Sequence, residues 1–166
     1  MAKARHLFQF PDPVNEVSAR LVAAGAVVMS VLVAVLHQHW VLVPLAYGFV
    51  ARVLTGPTLS PLGQFVTRVL TPRLGVAPKN VPGPPKRFAQ GIGATLSVSA
   101  VVAHVGFGAT GLAEVLVGLI AVAAFLESAF AFCLGCKIFA GLMRLGVIPE
   151  NVCEACNDIS KRIARA

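Results

Sequence analysis

The sequence predicts an all-α integral membrane protein, a bundle of four transmembrane helices with one short amphipathic helix at the interface. Three observations predict it. Apolar residues make up 57% of the 166 and charged residues only 13%, against roughly 45–50% and about 25% in soluble domains. Mean hydropathy is +0.80. Finally, apolar runs of helical length recur along the chain, and the polar segments between them alternate between basic and charge-poor. A soluble chain of this length has too little interior for so much apolar surface, so the lipid bilayer is read as its solvent.

The elements follow in order. Residues 1–16 form a cytosolic tail in which Pro11 and Pro13 break helix, Asn15 is a helix N-cap and Glu16 opens the first turn. The Pro-Asp-Pro turn and the lack of a small-residue cleavage site make the run at 17–36 a retained span, not a removed signal. Twenty residues at ~1.5 Å each cross the ~30 Å hydrocarbon core, with Arg20 snorkelling from its first turn. His37-Gln38-His39 is a solvated turn, with Trp40 behind it as an interfacial anchor. No carboxylate or cysteine stands near these histidines in sequence to complete a metal site.

The second span, 40–54, carries Pro44, which predicts a kink. Residues 55–87 are a long cytosolic connection punctuated by Gly56-Pro57, Ser60-Pro61 and the run Val81-Pro-Gly-Pro-Pro-Lys-Arg87. Within it Ser60 caps a short helix and Pro61 takes its first position. Leu62, Phe65, Val66, Val69 and Leu70 are predicted to face the lipid, opposite Gln64, Thr67 and Arg68. The third span, 88–107, repeats small residues at Gly91, Thr95 and Ser99, joined by Gly93 and Ser97, and reads as the packing face of the bundle. His104 is a satisfied residue near its far end. The fourth span, 111–132, has Glu114 in its first turn and is predicted to run on past Cys133 through Lys137 and Arg144.

Charge sets the orientation. The tail and first turn hold Lys3, Arg5 and Arg20. The inner end of the second span and the long connection hold Arg52, Arg68, Arg73, Lys79, Lys86 and Arg87. The C-terminal segment, 133–166, holds Lys137, Arg144, Lys161, Arg162 and Arg165, which completes all 14 basic residues. The two remaining turns have none, so both termini and the long connection are read as cytoplasmic. This also accounts for the net charge of +7 without nucleic acid, since one Trp and one Tyr supply no stacking platform.

The chemistry concentrates in the only four cysteines, two identical C-x-x-C steps at Cys133/Cys136 and Cys153/Cys156 with sixteen residues between them. Three readings stay open. As a metal site, the spacing matches a four-cysteine zinc site, and an iron–sulfur cluster uses the same ligands. As a redox or sulfur relay, Cys133 and Cys136 at i and i+3 share a helix face, and Cys153 stands near the start of a short helix whose dipole favours thiolate. Lys137 beside Cys136 supports the thiolate in the same way. As packing, they are merely small and polarizable, which fits a lone cysteine better than two identical steps. On the cytosolic side, thiols stay reduced and a permanent disulfide is not expected. Glu127, inside the fourth span, must face the bundle, with Arg20 or Arg52 as its expected partner and a role as register-fixing ion pair or proton acceptor.

The segments FPDPVNEVSAR, GPTLSPLGQ, PPKRFAQGIGA and LESAFAFCLGCKIFAGLMRLGVIPENVCEAC together resemble a bacterial family of small integral-membrane proteins described as a domain of unknown function. The resemblance covers nearly the whole chain. It implies four spans in the bacterial inner membrane, both termini cytoplasmic, and a hallmark F-C-x-G-C segment, here Phe132 to Cys136. Members of that family are often encoded near thioredoxin-like and rhodanese-type proteins, which implies thiol or sulfur metabolism and such partners, but carries over no catalytic residue.

Overall fold

The structure, a computed structural model, describes residues 10–153, with residues 150 and 151 described by their backbone alone. The sequence readings that fall on residues 1–9 and 154–166, among them Lys3, Arg5, Cys156, Lys161, Arg162 and Arg165, lie outside the described residues. Helix dominates. α1 spans Glu16–Ala34, and a 3-10 turn at His39–Val41 leads into α2, Leu42–Thr55. Two short helices, α3 at Pro61–Phe65 and α4 at Thr71–Leu74, are joined by a π-helical turn at Val66–Leu70. α5 at Gly83–Val101 runs on through a second π-helical turn at Val102–Gly106. α6 spans Thr110–Phe130, α7 spans Leu134–Arg144, and a 3-10 turn closes the described chain at Glu150–Cys153.

α1 packs on α6, α6 on α5 and α5 on α2, and α1 touches α2 to close the ring. The shared core holds Val33, Leu42, Leu45, Phe49, Ala100 and Val117. Two short strands, β1 at Val14–Asn15 and β2 at Asn80–Val81, pair antiparallel and tie the starts of α1 and α5 together. Glu16 N–H donating to the Lys79 carbonyl at 2.8 Å and Gly83 N–H donating to Asp12 at 3.0 Å complete that staple. The expected caps are present: Asn15 accepts from Val17 N–H at 3.0 Å, and Ser60 from Gly63 N–H at 3.2 Å.

Three helices are long and apolar enough to cross a membrane: Glu16–Ala34, Gly83–Gly106 and Thr110–Phe130. No more than 33% of the apolar window of any of them is buried within the bundle. Val28, Val115, Val122 and Phe125 are among the large apolar side chains left facing outward, as a lipid solvent permits. The fourth expected span is apolar but shorter. Its helical stretch, His39–Thr55, covers about 25 Å at ~1.5 Å per residue, against a hydrocarbon core of ~30 Å.

Several sequence boundaries move. α5 starts at Gly83, five residues before the expected Phe88, because Pro84 and Pro85 occupy the first turn, where no N–H is needed. Pro44 lies in the first turn of α2 and is tolerated for the same reason. α6 stops at Phe130 instead of continuing through the cysteines. The short helices pack more than expected: Gly63 and Val66 are buried while Phe65 is exposed, and Thr71 hydrogen-bonds Ser18 of α1 at 2.9 Å. The lipid-facing stripe of Leu62, Phe65 and Val66 is therefore split, since Val66 and Leu62 turn toward α1 and α2.

The packing face of α5 is Gly93, Ser97 and Ala100, which are buried, whereas Thr95 and Ser99 are exposed and the space beside Gly91 is open. Gly93 lets the Phe49 ring of α2 lie against the α5 backbone, where a Cβ would collide with the ring. Gly93→Ala is expected to lower stability by roughly 1–3 kcal/mol through overpacking, and Gly91→Ala to be neutral or stabilising by up to ~1 kcal/mol. Thermal unfolding of both variants in detergent micelles checks this. Equal tolerance would contradict the assigned face.

Candidate functional site

The first C-x-x-C step stands at a break between two helices. α6 ends at Phe130, and Ala131 turns the chain in the left-handed region at φ 55°. Arg20 covers the helix end, donating to the Ser128 carbonyl at 2.9 and 3.0 Å and to that of Ala129 at 3.1 Å. Its expected snorkelling role is thus replaced by satisfaction of carbonyls that α6 leaves unpaired. Cys133 then adopts an extended backbone and becomes the N-cap of α7, its sulfur 3.4 Å from Cys136 N–H. The predicted continuous helix is corrected here: Cys133 begins a helix and does not ride inside one. Among the described residues Cys133 starts a helix, and Cys153 lies in the 3-10 turn Glu150–Cys153 that follows Pro149.

Gly135 explains how the pair is brought inward. An added Cβ there would sit 2.6 Å from the Cα of Ala89, so glycine alone lets the first turn of α7 lie on the backbone of α5. Phe139 and Phe88 meet edge-on, with ring centroids 5.6 Å apart, one turn further along. Cys133 is buried and Cys136 partly so, and both are free thiols. Cys153 is buried and disulfide-bonded, which departs from the expectation of uniformly reduced thiols. Cys156 lies outside the described residues.

Behind Cys133 lies a layer of charge. Glu127 of α6 pairs with Lys86 of α5, not with Arg20 or Arg52. Lys86 falls in the stretch expected to be loop, and the early start of α5 carries it onto the bundle's inner face. Arg52 is buried, donates to Gln90 Oε1 at 2.9 Å and Ser60 Oγ at 3.3 Å, and lies 4.5 Å over the Phe49 ring. Glu127 is near enough to act on it through space. A cavity of about 240 Å³ is lined by Arg52, Gln90, Glu127, Cys133 and Gly135. A second, of about 220 Å³, shares Arg52 and Gln90 and adds Lys86. Both are smaller than the roughly 300–1,000 Å³ of drug-sized ligand sites. Lys137 lies with its ammonium 5.6 Å over the Phe132 ring.

The thiols are electrostatically unequal. The Cys136 thiol donates to the Cys133 sulfur and holds the Cys133 thiol below the ordinary cysteine range, helped by the Lys86 ammonium and the Cys136 backbone N–H. Burial and Glu127 work against this. The same bond and the same burial push the Cys136 thiol up. A helix N-terminus favours the thiolate at Cys133, which starts an eleven-residue helix, over Cys136 in its first turn. Gln90 and Lys86 escaped the sequence reading because neither forms a motif; only a helical register running back to Gly83 would have shown them one turn apart on α5.

As to metal, the one group of three converging ligand atoms among the described residues is His37, His39 and Glu114, which contains no cysteine. The His37–His39 turn is solvated at His37, and a carboxylate distant in sequence, Glu114, reaches both histidines.

Replacing Lys86 by Gln is expected to move the pH–rate profile for alkylation of Cys133 to higher pH, since the thiolate loses a cation that favours it. Glu127→Gln, which removes the opposing charge, is expected to move it lower. Mass-spectrometric alkylation rates against pH decide it, and identical profiles would detach the ion pair from the thiol.

No curated protein and no solved structure matched the chain. Residues 14–144 match a protein family described as a domain of unknown function, DUF4395. The match includes Cys133, Cys136, Lys86 and Glu127 and stops before Cys153. The alternation of apolar helices, the buried ion pair and the first C-x-x-C step all lie within those residues, and the chain belongs to that family, DUF4395.

Proposed function

We propose that this chain is a membrane-embedded dithiol protein of thiol redox or sulfur handling, with Cys133 and Cys136 as its working pair. The observation that carries the reading is the N-capping Cys133 sulfur, bonded by Cys136 and backed by Lys86, at the wall of a cavity. The proposed topology has four spans, α2 crossing as the shortest, with both termini and the 55–87 connection in the cytoplasm of a bacterium. In support, α1 and α5 begin, and α2 and α6 end, at the end of the bundle that carries Arg20, Arg52, Lys86 and Arg87.

The step is a thiol–disulfide exchange. The Cys133 thiolate attacks one sulfur of an oxidised partner's disulfide, a Cys133–partner bond forms, and the partner's other sulfur leaves as a thiolate. Cys136 loses its proton and attacks Cys133, closing the Cys133–Cys136 disulfide and releasing the partner's second thiolate. Two electrons pass from the pair to the partner, which departs as a dithiol. Thioredoxin-like or rhodanese-type proteins suit that role in chemistry. Glu127, which lines the cavity beside Cys133, is the carboxylate that would accept the Cys136 proton. The second step, Cys153 and Cys156, serves as a further dithiol–disulfide couple, and the oxidised state of Cys153 beside a reduced first pair supports such a division.

The rival reading is a zinc or iron–sulfur site on all four cysteines, which rests on their spacing and requires the Cys153 disulfide to open. Metal analysis with thiol titration before and after chelator and reductant separates the two. The dithiol reading expects no metal on the cysteines: the thiol count is unchanged by chelator and rises by two on reduction. One tightly held zinc or iron with no titratable thiol overturns it. Cys136→Ser is further expected to trap a mixed disulfide on Cys133, and Cys133→Ser to trap none on Cys136. Membrane-impermeant maleimide labelling Cys153 from the external side of intact cells after reduction would overturn the topology.

A further inference from the structure

At the end of the bundle opposite the cysteines, three chain segments meet at one carboxylate. His37 and His39 come from the turn between α1 and α2, and Glu114 from the second turn of α6. His37 Nδ1 lies 2.8 Å and His39 Nε2 lies 3.3 Å from the same oxygen, Glu114 Oε1. The three ligand atoms all fall within 4.8 Å of one another. His104, from the π-helical turn that ends α5, stacks on the His39 ring at a centroid distance of 4.5 Å and 24°. It is itself tied to Thr110 Oγ1 at 3.4 Å. Three of the chain's four histidines therefore share one corner.

The geometry suits a cation. A tetrahedral ion with bonds of ~2.0–2.2 Å to imidazole nitrogen and carboxylate oxygen sets its ligand atoms roughly 3.3–3.5 Å apart. The two distances to Glu114 lie near that range, and His37, whose side chain is 66% exposed, is free to adjust to an ion. His37 stands in the left-handed region at φ 52°, uncommon outside glycine and met at ligand-holding positions. The ring it presents is thereby turned toward Glu114. His39 is fixed by the His104 stack, so one ligand is rigid and one adaptable. As a plain ion pair, so exposed a contact contributes little to stability. Water on the His37 side leaves room for a fourth ligand, as in two-histidine, one-carboxylate sites.

We propose that His37, His39 and Glu114 bind a borderline divalent cation of the Zn²⁺, Co²⁺ or Ni²⁺ class at the end of the bundle remote from the thiols. The imidazole and carboxylate set selects that class over Mg²⁺ or Ca²⁺. The bound ion clamps the α1–α2 turn to the start of α6. This site is independent of the four cysteines and of whatever they do.

Cobalt tests it, because its absorption reports the ligands. The full chain is purified without a polyhistidine tag, stripped with chelator and titrated with Co²⁺ in detergent micelles. One equivalent is expected to bind with the ligand-field bands of nitrogen and oxygen ligands and no thiolate charge-transfer band. His37→Ala and Glu114→Gln are expected to weaken binding at least about tenfold, and Cys133→Ser to leave it unchanged. His37 is exposed, so its variant keeps the fold and isolates the ligand. No bound cobalt, a thiolate band that vanishes in Cys133→Ser, or unchanged affinity in His37→Ala overturns the proposal.

Discussion

Charge inside an apolar bundle is the constraint from which the arrangement of this protein follows. Lys86 and Glu127 are both nearly buried, with 10% and 14% of their side chains exposed, and neither is tolerable alone in such surroundings. Their pairing joins α5 to α6 at the end where the thiols sit. Arg52, buried one layer further in, is satisfied by Gln90, Ser60 and the face of Phe49. Each of these contacts except the Phe49 one reaches beyond its own helix, so the inner polar layer holds the ring together as the apolar faces cannot. In lipid, apolar side chains gain nothing by preferring one another to acyl chains.

The same layer explains why the thiol pair stands where it does. α6 cannot run on past Phe130 without carrying Cys133 away from Lys86. The left-handed turn at Ala131, the Arg20 cover on the last carbonyls and the close fit of Gly135 on Ala89 fold α7 back across α5 instead. Cys133 thereby gains a helix N-terminus, a nearby ammonium and a cavity wall at once, and the asymmetry between the two thiols is a product of that fold-back. A continuous helix would have given both cysteines the same apolar surroundings.

The two ends of the bundle also differ in kind. One concentrates cations, sulfur and buried polar side chains. The other concentrates histidine and a single carboxylate, with Trp40 exposed beside them. The hydrogen bonds that close each end span long sequence distances, 41 residues for Lys86–Glu127 and 77 for His37–Glu114. Charged side chains thus gather at the two rims, while the middle of the bundle is mainly apolar packing around Phe49, with Ser97 buried in it.

Composition, hydropathy and the one-sided distribution of cations are enough to read the helical class and the apolar segments from the residues alone. The Asn15 and Ser60 caps and the two C-x-x-C steps are equally visible, because each of these signals acts within a few residues of itself. Tertiary structure decided the rest. Alanine, not glycine, takes the turn at position 131, so no local signal announces the end of α6. Lys86 meets Glu127, and Glu114 meets His37 and His39, through the registry of packed helices, and registry is set by steric fits such as Gly93 against Phe49 and Gly135 against Ala89. Which polar groups share a site is thus a property of how helices dock, and a linear pattern holds no record of docking.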